Sequence, residues 1–251
     1  MFSIKSPREI QKIKDAGKIV AEILHVLLEE TQEGMTTDDL DRRAHELTLK
    51  KGALPAFKGY HGFPKVLCAS VNEEVVHGIP DDRVLKKGDI VGLDFGVILD
   101  GWYADSAVTV PIGTISPETQ KLVKVTEECL YKGIEASQVG NRLGDIGFAV
   151  QSHAESFGYG VVREFVGHGV GRALHEDPQV PNFGRKGMGM RLEPGMVIAI
   201  EPMITAGSYK VKILKNNWTA VTVDGSLAAH FEHTIAITEN GPIILTDRSH
   251  I

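Results

Sequence analysis

The chain has 251 residues, enough to bury a full-sized core as one large domain or two fused halves. Hydrophobic residues at 42% and charged residues at 24% are ordinary for a soluble globular protein. The net charge of −6, with no long basic run, argues against nucleic acid or an anionic membrane as the main partner.

Cys68 and Cys129 are the only cysteines and no Cys-x-x-Cys occurs, so neither a disulfide framework nor a thiolate zinc site is available. The N-terminus carries Lys5, Arg8 and Glu9 before any apolar run could act as a signal peptide. No stretch approaches the roughly 18 uninterrupted apolar residues of a membrane helix, and the expectation is a cytoplasmic protein.

In chain order, Ser6-Pro7-Arg8-Glu9 reads as a helix start, with Ser as N-cap, Pro at the first helical position and Glu closing a capping box. Ile10, Ile13, Gly17, Val20, Leu24, Leu27 and Leu28 then recur at helical spacing, giving a long amphipathic helix up to Gly34. A second helix begins near Thr36 to Asp39, buries Leu40, Ala44 and Leu47, and stops at Lys50-Lys51-Gly52. Strands are expected from Lys65 to Val71, Ile90 to Leu99 and Ala104 to Val110, the last two joined at Asp100-Gly101 as a hairpin.

The same programme then repeats. Ser116-Pro117-Glu118 opens a helix carrying Leu122, Val125, Cys129, Leu130 and Ile134, and Gly140 to Ile146 leads into another ending near Phe157-Gly158. Leu85-Lys-Lys-Gly88 up to Asp94 lines up with Leu192-Glu-Pro-Gly195 up to Glu201, the acid falling six residues after the Gly both times. Asp105-Ser-Ala-Val-Thr-Val lines up with Glu232-His-Thr-Ile-Ala-Ile. This pattern points to two αα–ββ halves related by a pseudo-twofold.

The consequence is chemical. An Asp inside an apolar strand must be neutralised, paired or bound to a cation, and Asp94 and Asp105 sit on the two arms of one hairpin. If the halves pack sheet to sheet, Asp94, Asp105, Glu201 and Glu232 converge, and two divalent ions would balance their charge. Gly167-His168-Gly169 offers an imidazole where glycines let the backbone bend sharply, which would shift the preference from hard ions to Mn, Fe, Co or Zn. A turn His with glycines serving only the backbone is the plainer alternative.

At this point the residues match a family. Val75-Val76-His77-Gly78-Ile79-Pro80, Leu93-Asp94, Asp105-Ser106, Gly167-His168-Gly169-Val-Gly171-Arg172, Leu174-His175-Glu176-Asp177-Pro178, Ile200-Glu201-Pro202-Met203 and Phe231-Glu232-His233-Thr234 resemble, in order and spacing, the type I methionine aminopeptidases. The resemblance runs from about Ile4 to Thr246. It implies an α+β pita-bread fold: a single catalytic domain over 1–251, its halves at about 4–112 and 113–246, with a central curved antiparallel sheet and outer helices.

For the site, the resemblance implies that Asp94 chelates one metal, that Asp105 and Glu232 bridge two ions, and that His168 and Glu201 complete the other. A hydroxide bridging such a pair would attack the first peptide bond of a chain beginning with Met, with a small second residue preferred. Glu201 would also shuttle the proton, His77 would contact the scissile nitrogen and His175 would stabilise the developing oxyanion. Tyr60, Phe63, Cys68, His77, Leu174 and Trp218 would wall the methionine pocket, with His61 on a substrate loop. The implied partners are N-terminal methionines of nascent polypeptides, with transient contact to the ribosome and neither DNA nor membrane; the chain would act as a monomer.

Each residue has a plainer alternative. His77 could be a loop His, His175 could pair with Glu176 or Asp177, Trp218 could be ordinary core and Cys68 a small buried hydrophobe. His233 is expected on the opposite strand face from Glu232, and His25, His45, His153 and His250 on helices or the tail. Phe57, Gly92 and Tyr103-Ala104 depart from residues common in the family, while every ligand position is filled. A two-metal phosphoesterase would want more basic residues than Arg172 alone. The creatinase-like and prolidase relatives, the type II form and the eukaryotic type I form would carry an extra domain, an insert or a Cys-rich extension.

Overall fold

A computed structural model describes residues 3–249; the expectation for His250 falls outside them. Four helices form where the caps stand. Helix α1 (Pro7–Glu30) has the full Ser6/Glu9 capping box and buries Ile13, Ala16, Val20, Leu24 and Leu27. It ends before Gly34, because Thr31 turns extended and both its N–H and its hydroxyl donate to Leu27 O. Helix α2 (Thr37–Lys50) carries a second box between Thr36 and Asp39. Helices α3 (Pro117–Glu135) and α4 (Leu143–Ser156) repeat the pair in the second half, α3 capped by Ser116.

Four sheets form among the described residues, and two of them carry the acids; α1 and α2 pack on the first of these, while α3 and α4 lie mainly against a smaller sheet of Gly160–Val161, Met203–Thr205 and Ala228–His230. The first is organised on the hairpin Ile90–Leu99 and Trp102–Pro111, with Leu67–Val71 and Leu54–Pro55 alongside Ile90–Leu99. The strand expected from Lys65 starts at Leu67, and the one expected from Ala104 starts at Trp102. Asp100 (φ 49°) and Gly101 (φ 75°) both take the left-handed conformation that a two-residue hairpin needs to match strand twist.

The second sheet runs in the order Gly241–Ile244, His233–Thr238, Val197–Ile200, Gly167–Gly169, Glu176–Val180. Backbone bonds join these two sheets: Glu232 N–H donates to Ala107 O at 3.0 Å, Ala107 N–H to Glu232 O at 3.4 Å, and Tyr103 N–H to Gly171 O at 2.9 Å. Leu93, Phe95, Ile198, Ile200 and Ile235 from both sheets share one core with Ile13, Leu24 and Leu27 of α1. Burying side chains of this size contributes about 1.5–3 kcal/mol each, so the sheets are fixed relative to one another where the acids lie. No helix among the described residues is long and apolar enough to cross a membrane.

Candidate active site

The acids are placed by strand register. Asp94 lies opposite Ala107 and Asp105 opposite Gly96, so Asp94 and Asp105 are diagonal neighbours on one face of the hairpin. His233 pairs with Ile200 at the end of the second sheet's central ladder. Glu232 and Glu201 stand one step beyond that pair, side by side, and the Glu232–Ala107 bonds carry them to the hairpin.

His168 sits in the short strand Gly167–Gly169, not in the sharp bend its glycines suggest. The glycines are there for close approach. A Cβ on Gly167 would lie 2.3 Å from Ala199 O, and one on Gly169 2.3 Å from Asp177 O. His168 Nδ1 donates to Gly169 O at 3.0 Å, which leaves the Nε2 lone pair facing Asp105 Oδ2 at 3.5 Å and Glu201 Oε1 at 3.6 Å. Donor atoms of Asp105, His168 and Glu232 all lie within 4.8 Å of one another.

Burial and the charge of Asp105 push Asp94 well above the carboxylate range. Burial, then Asp94 and Asp105, do the same to Glu201; burial, then Asp105, Glu201 and Asp94, do it to Glu232. Asp105 is raised by burial to about 6, restrained by His175 and by Thr234 Oγ1, which donates to Asp105 Oδ1 at 3.0 Å. Burial lowers His168 to about 4, so the imidazole is neutral. Four carboxylates that resist shared ionisation, beside a neutral imidazole aimed at them, are a donor set for divalent first-row cations. The residues fit such ions.

A cavity of about 240 Å³ opens from these acids between Tyr60, Phe63, Cys68, Leu174 and Trp218, with His61, His77 and His175 on its wall. Phe57 lines it too, so the bulky residue at that position is part of the pocket. Trp218 packs edge-on to Phe63 at 5.1 Å between centroids and faces His77 at 6.3 Å. His175 Nδ1 shares a 2.7 Å hydrogen bond with Tyr60 Oη, and its ring stands 4.2 Å from that of His168. Burial, with the neighbouring His175, holds His77 at about 4, and burial with His168 holds His175 at about 4. Both are neutral rings able to donate one hydrogen bond.

Several plainer alternatives are resolved. Glu176 is taken by Lys5 Nζ at 2.5 Å and the Arg172 N–H at 2.6 Å. The Arg172 guanidinium stacks over Trp102 at 3.9 Å and reaches Gly101 O at 3.3 Å, so it serves the hairpin turn. His233 is buried on the far face, hydrogen-bonded to Thr246 Oγ1 at 2.9 Å.

Sequence reasoning overlooked three polar neighbours. Thr234 holds Asp105, and its signal is a Thr two positions after Glu232 on the same strand face. Asn182 Nδ2 donates to Glu201 O at 3.0 Å. His230, fully inside, turns Nε2 toward Glu201 Oε2 at 3.7 Å.

The profile of metallopeptidase family M24 matches residues 11–239. The chain is 55% identical to a methionine aminopeptidase of Clostridium acetobutylicum, over 98% of this chain and 99% of that one. Among solved structures it superposes on methionine aminopeptidase from Rickettsia prowazekii with a TM-score of 0.97, at 43% identity, over 98% of this chain and 100% of the other. Prolidase from Pyrococcus furiosus shares the fold alone, at a TM-score of 0.78 and 24% identity over 97% of this chain and 65% of its own.

Proposed function

The chain belongs to metallopeptidase family M24, and from that premise we propose that it releases the N-terminal methionine of peptides and nascent proteins by metal-dependent hydrolysis. It acts as one catalytic domain whose halves, about 4–112 and 113–246, each supply two of the acids. The observation that carries the reading is the meeting of four mutually repelling carboxylates with a neutral His168 at the end of an apolar cavity.

Asp94, Asp105, His168, Glu201 and Glu232 would hold two divalent ions, drawn from Mn, Fe, Co and Zn. Bound there, such ions supply Lewis acidity and bring the pKa of a coordinated water near neutrality. The chain's own groups do the rest. Glu201, whose buried acidic surroundings raise its proton affinity, would in its ionised form accept a proton from the attacking water and pass it to the departing amine. His175, ring fixed by Tyr60, donates toward the carbonyl oxygen as charge develops on it. His77 donates at the scissile nitrogen.

Phe63, Cys68, Leu174 and Trp218 exclude water from a slender apolar side chain. Methionine fits such walls because its unbranched thioether adapts to them. Tyr60 and His61 line the same cavity, and a small second residue is the expected preference.

The test is release of free Met from a Met-Ala-Ser peptide by metal-stripped protein refilled separately with Mn, Fe, Co and Zn. Activity is expected with at least one metal and is abolished by Asp105→Ala or His168→Ala. Full activity in either variant refutes the assignment.

A further inference from the structure

Around the strands that carry Asp105 and Glu232 lies a buried polar network that the reaction does not use. It is built by the C-terminal segment. Leu245 N–H donates to Thr234 O at 2.9 Å, and the Leu245 carbonyl packs against α1 so tightly that a Cβ on Gly17 would lie 2.3 Å from it.

With Leu245 held, the next residues reach both acids assigned to bridge the ions. Thr246 Oγ1 accepts from Thr234 N–H at 3.2 Å, and the Thr234 hydroxyl grips Asp105 at Oδ1 and at its carbonyl, 3.0 and 2.8 Å away. Arg248 Nη1 donates to Ser106 Oγ at 2.6 Å. Arginine can only donate, so the single Ser106 hydroxyl proton is left for Glu232 O, 2.5 Å away. Ser106 is fully buried and follows Asp105 directly. One bond chain therefore runs from Arg248 through Ser106 to Glu232, and a second from Thr246 through Thr234 to Asp105.

We propose that Arg248 is a positioning residue for the metal centre, setting the spacing of Asp105 and Glu232 through Ser106. The inference rests on the function proposed above. A guanidinium that merely sat near a cation site would weaken cation binding, and its removal would tighten it. A guanidinium that holds the ligand strands in place acts with the opposite sign. Groups supporting a metal's ligands in this way change affinity or activity by about 10–100-fold when removed.

The experiment is calorimetric titration of metal-stripped, full-length protein with Mn²⁺, alongside steady-state release of Met from Met-Ala-Ser, for the wild type, R248M, R248K and S106A. For R248M we expect Mn²⁺ affinity to fall about 10-fold or more and kcat to fall with KM for the peptide unchanged. R248K recovers most of both, and S106A shifts both in the same direction as R248M. Circular dichroism in EDTA checks that R248M is folded; if it is not, S106A decides. Unchanged or tighter Mn²⁺ binding in the deciding variant overturns the proposal. A wild type that takes up no Mn²⁺ and releases no Met overturns the metallopeptidase reading and this proposal with it, so the two failures are distinguishable.

Discussion

Two glycines in one strand should respond very unequally to the same methyl group. Gly96 lies opposite Asp105 in the hairpin, and a Cβ there would sit 2.9 Å from Phe57 Cε1 and 3.2 Å from both Ala56 Cβ and Asp105 Cβ. All three distances are shorter than normal carbon contacts, and none of the neighbours can swing away: Phe57 is buried in the pocket wall, Ala56 is bonded through its N–H to Gly96 O, and Asp105 is in the strand. Overpacking of this kind costs about 1–3 kcal/mol. At about 2 kcal/mol the melting temperature of a chain this size drops by roughly 4–8 °C. Because the added methyl presses on the pocket residue Phe57 and on Asp105, Gly96→Ala should also lower kcat/KM for Met-Ala-Ser. Four residues earlier, a Cβ on Gly92 meets nothing closer than 3.7 Å, so Gly92→Ala should change stability by no more than about 0.5 kcal/mol. The assays are thermal unfolding followed by circular dichroism, and steady-state Met release. A Gly96→Ala protein as stable and active as the wild type, or a Gly92→Ala protein equally damaged, would refute the steric argument.

Two further expectations concern charge and the pocket. Asp94, Asp105, Glu201 and Glu232 all have folded pKa values above their unfolded ones, with Asp105 near 6. Their contribution to the stability of the metal-free protein is therefore present in full below about pH 4 and is lost as pH rises through 6 and beyond. The melting-temperature gap between Mn²⁺-loaded and metal-stripped protein should widen from pH 5 to pH 8, and a gap independent of pH would count against an acid-only charge imbalance. Trp218→Ala removes the ring that packs on Phe63 at 5.1 Å and should lower kcat/KM for Met peptides by about 10-fold or more while leaving Mn²⁺ affinity unchanged; loss of metal binding would show that Trp218 supports the ligands instead.

What could be read from the sequence was local chemistry with a short period. The hairpin was legible because strand alternation, the Asp100-Gly101 pair and an acid on each arm all fall within one stretch, and the register then puts both acids on one face without further information. Helix starts were legible for the same reason: Ser6 and Glu9, or Thr36 and Asp39, satisfy each other within one turn. The end of α1 was overshot because Gly34 looks like a terminator, whereas Thr31 stops the helix three residues earlier. Strands as short as Met203–Thr205 and Ala228–His230 carry too few residues to show a period. The two glycines around His168 suggest a sharp bend, whereas they lie in a strand, and only the approach of Ala199 and Asp177 from elsewhere in the chain shows what they make room for.

The supporting shell follows a different rule. A serine between Asp105 and Ala107 looks like polar filler in a strand, and an arginine near a C-terminus like a solvated charge. Each acquires its meaning from a partner that only tertiary structure supplies, Ser106 from Glu232 at a separation of 126 residues and from Arg248 at 142. The ligands proposed for these divalent cations are four carboxylates and an imidazole, so their chemistry is written in residue type. The residues that aim them need only one donor or acceptor in the right place, which many residue types provide, and so they are specified by where the chain returns to and not by what it is made of.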